Sequence, residues 1–232
     1  MRETYRIEFR MKAACEGVTG FRFDKSPGYK FEAGQYFRLT LQTPEGERTE
    51  SFSHASAPAD QFIELATRMT GSPFKNALGE LVRGDAVTID GPYGDLILPP
   101  GVEKACFLAG GVGITPARSI IRDAEQRRTG LRMRLFYGNH DQSCIPYSGE
   151  FAEYARKDRR FAVVPVLEDA LPGWTGERGL ITADLVRRHM KELDVWHFFV
   201  AGPPAMVRAM EGVLAELKVP KERISAEDFT GY

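Results

Sequence analysis

The chain of 232 residues is 43% hydrophobic, enough to bury one large core or two smaller ones. Its 31 Lys and Arg against 32 Asp and Glu leave a formal net charge of −1, which gives no electrostatic case for a nucleic acid or an anionic membrane as partner. No apolar run approaches the ~20 residues that span a bilayer and the opening Met-Arg-Glu-Thr-Tyr-Arg is too charged for a secretion signal, so a cytoplasmic protein without a membrane span is expected.

Up to about residue 98 the apolar period is two. Tyr5, Ile7, Phe9 and Met11 alternate with Arg6, Glu8, Arg10 and Lys12, and Ile63, Leu65 and Thr67 alternate with Glu64, Ala66 and Arg68, as half-buried strands should. Turn residues punctuate this half at Ser26-Pro27-Gly28, Pro44-Glu45-Gly46, Arg83-Gly84-Asp85 and Gly91-Pro92-Tyr93-Gly94. The pattern predicts an antiparallel barrel with one short helix near Pro73 to Leu81.

Pro99-Pro100 reads as the domain hinge, and beyond it strands alternate with helices. Apolar strands are expected at Lys104 to Ala109, Met133 to Tyr137, Phe161 to Leu167 and Trp196 to Val200, the pattern of a parallel sheet with crossover helices. The first of them runs into Gly110, Gly111 and Gly113, which remove side chains that would keep a phosphate from the backbone N–H groups. Thr115 is the expected N-cap of the next helix and Pro116 its first residue. Pro116 stands where the dinucleotide fingerprint has its third glycine, so this is not the common Rossmann loop. Met206, Met210, Val213, Leu214 and Leu217 form the core stripe of a last helix.

Cys15, Cys106 and Cys144 lack Cys-x-x-Cys spacing and cannot supply four thiolates, so an iron–sulfur cluster would belong to a partner. His54, His140, His189 and His197 show no metal-ligand spacing, and no metal is expected.

In order along the chain, Gly34-Gln35-Tyr36, Ser53-His54-Ala55-Ser56, Gly91-Pro92-Tyr93-Gly94, Gly110 to Pro116, Leu135 to Asn139 and Ala201-Gly202-Pro203-Pro204 resemble the ferredoxin–NADP reductase superfamily of flavoproteins. The resemblance implies an FAD-binding antiparallel β-barrel over residues 1–100 and an NAD(P)-binding α/β domain with a parallel sheet over 101–232. The family's flavin segment, Arg-x-Tyr-Ser, reads Glu50-Ser51-Phe52-Ser53 here. Phe52 would supply the ring face and Ser53 the hydroxyl near the reactive nitrogen, with Ser56 in the same segment. Glu50 departs from the pattern, because a carboxylate repels a pyrophosphate. Lys75, following Gly71 and Ser72 at a helix start, is the candidate replacement cation. Arg48 and Arg68 are alternatives, and a merely solvated Lys75 stays open.

By the same resemblance, Glu227 belongs to the nicotinamide side as a proton-handling or orienting residue, and Phe229 or Tyr232 covers the flavin. A core role for Phe229 is equally open. The coenzyme would lay its pyrophosphate on Gly111, Gly113 and Thr115, its adenine ribose near Asn139 and His140, and its nicotinamide near Gly202 and Pro203. Ala201 replaces a family Cys, so no thiol acts there. Asp141 beside His140 argues for NADH, although Ser143 and Tyr147 stand near positions that hold a 2′-phosphate in plant-type members. The implied activity is FAD-dependent NAD(P)H oxidation with electrons passed to an external acceptor, a ferredoxin or partner oxygenase. The alternatives are an NAD(P)H:flavin reductase using diffusible flavin and a non-catalytic electron-transfer subunit.

Overall fold

The computed structural model describes residues 2–15 and 17–229; Tyr232 lies outside the described residues. In the first half β1 (Arg2–Cys15), β2 (Val18–Asp24), β3 (Tyr36–Thr43), β4 (Gly46–Ser53), β5 (Phe62–Arg68), helix α1 (Pro73–Glu80) and β6 (Ala86–Tyr93) follow one another. They form an antiparallel six-stranded sheet of order β4-β3-β6-β1-β2-β5. Its edge strands β4 and β5 meet, closing the sheet around Phe21, Phe23, Phe37, Leu39, Ile63 and Leu65, all fully buried. Each such side chain withdrawn from water contributes about 1.5–3 kcal/mol.

The second half contains β7 (Lys104–Gly110), α2 (Ile114–Arg127), β8 (Arg132–Asn139), α3 (Ser148–Lys157), β9 (Phe161–Leu167), β10 (Glu177–Arg178), α4 (Ala183–His189), β11 (His197–Gly202), α5 (Pro204–Glu216) and β12 (Ile224–Asp228). The strands pair in parallel in the order β10-β9-β8-β7-β11-β12. β7 is buried on both faces from Ala105 to Ala109, as a central parallel strand must be. Ile114, Ala117, Ile120, Ile121 and Ala124 give α2 the helical spacing that covers one face. That helix stops where Arg128 takes a left-handed φ of 51°.

Two expectations change. β5 does not alternate: Glu64 and Ala66 are buried along with Ile63, Leu65 and Thr67, because the face expected in water lies against the second half. Just before Pro99-Pro100 the chain is tied to the second half, since Leu96 is buried in the core of the parallel sheet and Leu98 packs there too. Thr115 is not the N-cap of α2. A 3₁₀ turn over Gly111–Gly113 runs straight into the helix, Gly113 occupies the cap position, and the Thr115 hydroxyl bonds the Val112 carbonyl at 3.1 Å. Pro116 is still tolerated, because first-turn N–H groups have no intrahelical acceptor. Among the described residues no helix is long and apolar enough to cross a membrane.

Candidate functional site

A cavity of about 290 Å³ lies between the two halves. Tyr36 at the start of β3 and Ser51, Phe52 and Ser53 at the end of β4 form one wall; Thr115 from the first turn of α2 and Glu227 to Phe229 at the end of β12 form the other. β4 delivers its end there because Tyr36 pairs with Ser53 and Phe37 with Phe52 across the β3–β4 ladder. By the period of two, Phe37 and Phe52 point inward while Tyr36, Ser51 and Ser53 face the cavity. Ser53 therefore stands at the cavity 7% exposed.

Phe52 lines the cavity, but its ring is committed to the barrel core. It lies 6.4 Å from Phe37 and 5.9 Å from Phe74, and the Lys75 ammonium sits 4.4 Å above it. Tyr36, which packs on Tyr93 with ring centres 5.7 Å apart, is the aromatic that stands in the cavity wall instead.

Glu227 lies beside Ala201 in the β11–β12 register and reaches towards the loop after β6. A methyl group added at Gly94 would lie 3.7 Å from its carboxylate and 2.8 Å from the Tyr36 ring, and Gly94 has a φ of 91°. A glycine is required on both counts. Burial, and secondarily the Asp228 carboxylate, pushes the Glu227 carboxyl up to about 7. Phe229 completes this wall with its N–H bonded to the Gly202 carbonyl at 2.9 Å, which sets it next to Gly202 and Pro203. It packs on the parallel-sheet core and lines the cavity at once.

The glycine loop separates into three roles. A methyl group on Gly110 would meet the Met206 sulfur at 2.2 Å, and one on Gly113 would meet the Ala201 carbonyl oxygen at 2.3 Å and the Gly202 Cα at 2.6 Å. Gly113 thus seats α2 against β11 and is not the opening for a phosphate. Gly111 is: it has a φ of 52° and nothing within 4 Å of an added methyl. The Tyr137 hydroxyl, 3.1 Å from the Gly111 and Pro146 carbonyls, steadies that loop. At the end of β8 the Asn139 side chain is 7% exposed, and its amide nitrogen is the buried side-chain polar atom left unpartnered among the described residues. A buried donor without an acceptor costs about 1–3 kcal/mol, a cost that an acceptor on a bound ligand would remove.

His140 lies 3.6 Å from Glu168 and 3.4 Å from Asp169, both exposed carboxylates. Ser143 hydrogen-bonds Asp141, and those bonds hold the Asp141 carboxyl below its usual range. The Tyr147 hydroxyl donates to Glu64 at 2.9 Å. Both residues considered for a 2′-phosphate thus already bond carboxylates in this structure.

Lys75 also departs from expectation. It is 4% exposed, with its ammonium 3.0 Å from Glu50 and 2.8 Å from the Thr67 hydroxyl, so its charge is already countered inside the protein. Arg48 is paired with Glu45. Gly71 and Ser72 stay at the start of α1, where the Ser72 hydroxyl accepts the Lys75 N–H as the N-cap. Ser56 is fully buried and its hydroxyl accepts the Glu64 N–H, which removes it from the cavity. Tyr36 and Ser51 stood inside sequence motifs without being singled out, and Asp228 was marked only by its neighbours Glu227 and Phe229.

The oxidoreductase NAD-binding domain family matches residues 107–212. Ferredoxin–NADP reductase B of Sorangium cellulosum is 30% identical over 224 residues, covering 91% of each chain. The reductase component of propane 2-monooxygenase from Mycolicibacterium goodii is 31% identical over 214 residues, 88% of this chain but 61% of that protein. The Amycolatopsis cytochrome P450 reductase GcoB superposes with a TM-score of 0.85 and 26% identity over 99% of this chain and 71% of that one. The chain thus spans about half to three-fifths of some of the curated relatives it matches. The antiparallel closed sheet, the parallel sheet with its glycine loop, and the relative matched over nearly its whole length together place this chain in the ferredoxin–NADP reductase family, flavoprotein oxidoreductases that work with FAD and NAD(P)H.

Proposed function

We propose that the chain holds FAD at the Tyr36–Ser53 wall, takes reducing equivalents from NADH, and passes electrons to an external iron–sulfur protein or partner oxygenase. The observation that carries this is one cavity with flavin-side Ser53 and coenzyme-side Glu227 and Thr115 on facing walls. Bound flavin would supply two-electron acceptance with one-electron release. The protein supplies placement. Gly111 leaves its backbone open to a pyrophosphate, the unpartnered Asn139 amide offers a donor, and Tyr36, Phe52 and Phe229 exclude water from the cavity. Ser53 offers a hydroxyl, and Glu227, titrating near 7, can hold or release a proton at neutral pH. The carboxylates around His140 support NADH, since a 2′-phosphate would meet negative charge. A cytoplasmic setting accords with this coenzyme.

A reductase of diffusible flavin is the second reading, and the Lys75–Glu50 pair favours it because it withdraws the expected pyrophosphate cation. One experiment separates the two: a spectrum of the purified protein followed by anaerobic titration with NADH and NADPH. A yellow protein bleached by NADH supports bound FAD. A colourless one that reduces added riboflavin or FMN supports the second reading, and no reduction of any flavin refutes both.

A further inference from the structure

α2 begins at the coenzyme loop and runs along the barrel. One turn after Thr115, Arg118 is 3% exposed and donates to the Ala55 carbonyl at 2.6 Å, to Glu64 at 3.2 Å and to Glu150 at 2.7 Å. Its guanidinium lies 4.1 Å from the centre of the Tyr147 ring. The Ser119 hydroxyl bonds the Ser56 carbonyl at 2.7 Å, and Arg122 grips Asp60 with two bonds of 2.7 and 2.9 Å. Glu64 is fully buried and also takes Arg22 at 2.8 Å. Three carboxylates therefore meet three guanidinium groups in a seam that buries Arg118, Glu64 and Asp60 and leaves Arg22, Arg122 and Glu150 about a fifth to a quarter exposed. Ala55 and Ser56 directly continue the segment that presents Ser53. The path from one cavity wall to the other is thus short: Ser53, His54, the Ala55 carbonyl, Arg118, one helical turn, Thr115.

A charged seam is a poor way to gain stability alone. Desolvation offsets most of the attraction, and apolar side chains of similar volume hold buried surfaces together as well or better. What a guanidinium adds is a planar fork whose contacts fix one arrangement. Burial works against the Arg118 charge, but Glu64, Tyr147 and Glu150 outweigh it and raise its pKa, so the fork stays charged.

We propose that Arg118, locked by Glu64, is a positioning residue that sets where the coenzyme loop stands relative to the Ser53 strand end, and so governs the hydride step more than the affinity for either ligand. The inference rests on the proposed function. The Arg118→Lys variant keeps the charge but loses the fork. Arg118→Met with Glu64→Gln removes both charges, so no carboxylate is left buried alone.

The test uses the FAD-loaded full chain. Both variants are expected to reduce flavin with NADH 10- to 100-fold more slowly in anaerobic single turnover, the loss typical of misplacement by about 1 Å. The long-wavelength nicotinamide–flavin charge-transfer absorbance is expected to weaken in step. The dissociation constant for ADP-ribose and the retained FAD stay within threefold of the native values. Native rate and native charge-transfer absorbance in either variant overturn the inference. A rate loss that only tracks lost FAD or a lowered melting temperature overturns it equally, as it marks a merely structural seam. Failure of the native protein to be reduced by either coenzyme refutes the proposed function itself, and the inference with it.

Discussion

Gly113→Ala is expected to damage fold and coenzyme site together, and Gly111→Ala, two residues away, to close the phosphate opening at the smaller cost of backbone strain alone. A methyl on Gly113 lies 2.3 Å from the Ala201 oxygen, 2.6 Å from the Gly202 Cα and 2.8 Å from the Ala201 carbon, where ordinary contact begins near 3.4 Å. These are backbone atoms of a central strand and cannot rotate away, so the loop must retreat by about 1 Å. Overpacking of this kind costs about 1–3 kcal/mol. In a chain of this length each kcal/mol lowers the melting temperature by about 2–4 °C, so a fall of about 2–12 °C is expected. The loop leads into Thr115, so the same retreat displaces the cavity wall. Gly111→Ala meets nothing within 4 Å and pays only for its φ of 52°, about 1–2 kcal/mol. Differential scanning fluorimetry of the apoprotein, paired with ADP-ribose titration, separates the two effects. A Gly113→Ala protein that melts and binds like the native one refutes the packing role, and so does a Gly111→Ala protein that melts lower than the Gly113→Ala one.

Glu227→Gln is expected to flatten the pH dependence of stability. A carboxyl titrating at about 7 in the folded chain and 4.5 when free keeps a proton that the unfolded chain releases, so native stability falls as pH rises from about 5 to about 7. Urea midpoints at pH 5 and pH 8 that shift equally in native and variant proteins would show that the carboxyl is not perturbed. NADH is expected to exceed NADPH in kcat/KM at fixed ionic strength, and His140→Arg combined with Asp169→Asn to narrow the gap, by removing one of the facing carboxylates and adding a phosphate-binding fork. An NADPH preference in the native protein would overturn the electrostatic reading.

Residues whose neighbours are close in sequence were legible. The apolar run of β7, its glycine break and the switch from a period of two to alternating strands and helices announced both sheets, because each follows from local backbone and burial rules. Partners far along the chain were not. Glu64 read as the solvent face of a strand because nothing near it announces Arg118, 54 residues on. The three glycines of the loop looked alike in sequence, yet one yields to Met206, one to the β11 backbone and one opens to solvent. Only the fold distinguishes them. Lys75 and Ser56 had suitable chemistry for the flavin side, but their hydrogen bonds are made inside the protein.

The Lys75–Glu50 pair leads to the last expectation. The ammonium is buried over the Phe52 ring, and burial lowers its pKa against the opposing pull of Glu50. Glu50 thus performs two tasks: it keeps Lys75 charged, and it occupies the charge that an incoming pyrophosphate would use. Removing the carboxylate separates them. In a Glu50→Gln protein the lysine keeps the Thr67 hydroxyl but loses this carboxylate, so the apoprotein is less stable, while an anion arriving at the cavity takes the place of Glu50 in holding the lysine charged. A hydrogen bond to a charged group contributes about 1.5–3 kcal/mol, which corresponds to roughly 10- to 100-fold in affinity. FAD is therefore expected to bind Glu50→Gln about tenfold or more tightly at low salt, with the gain shrinking as ionic strength rises. Equilibrium dialysis of FAD against native and variant apoprotein at two salt concentrations measures it. Unchanged or weaker binding would mean that Lys75 supports the Phe52 wall and never faces the phosphates.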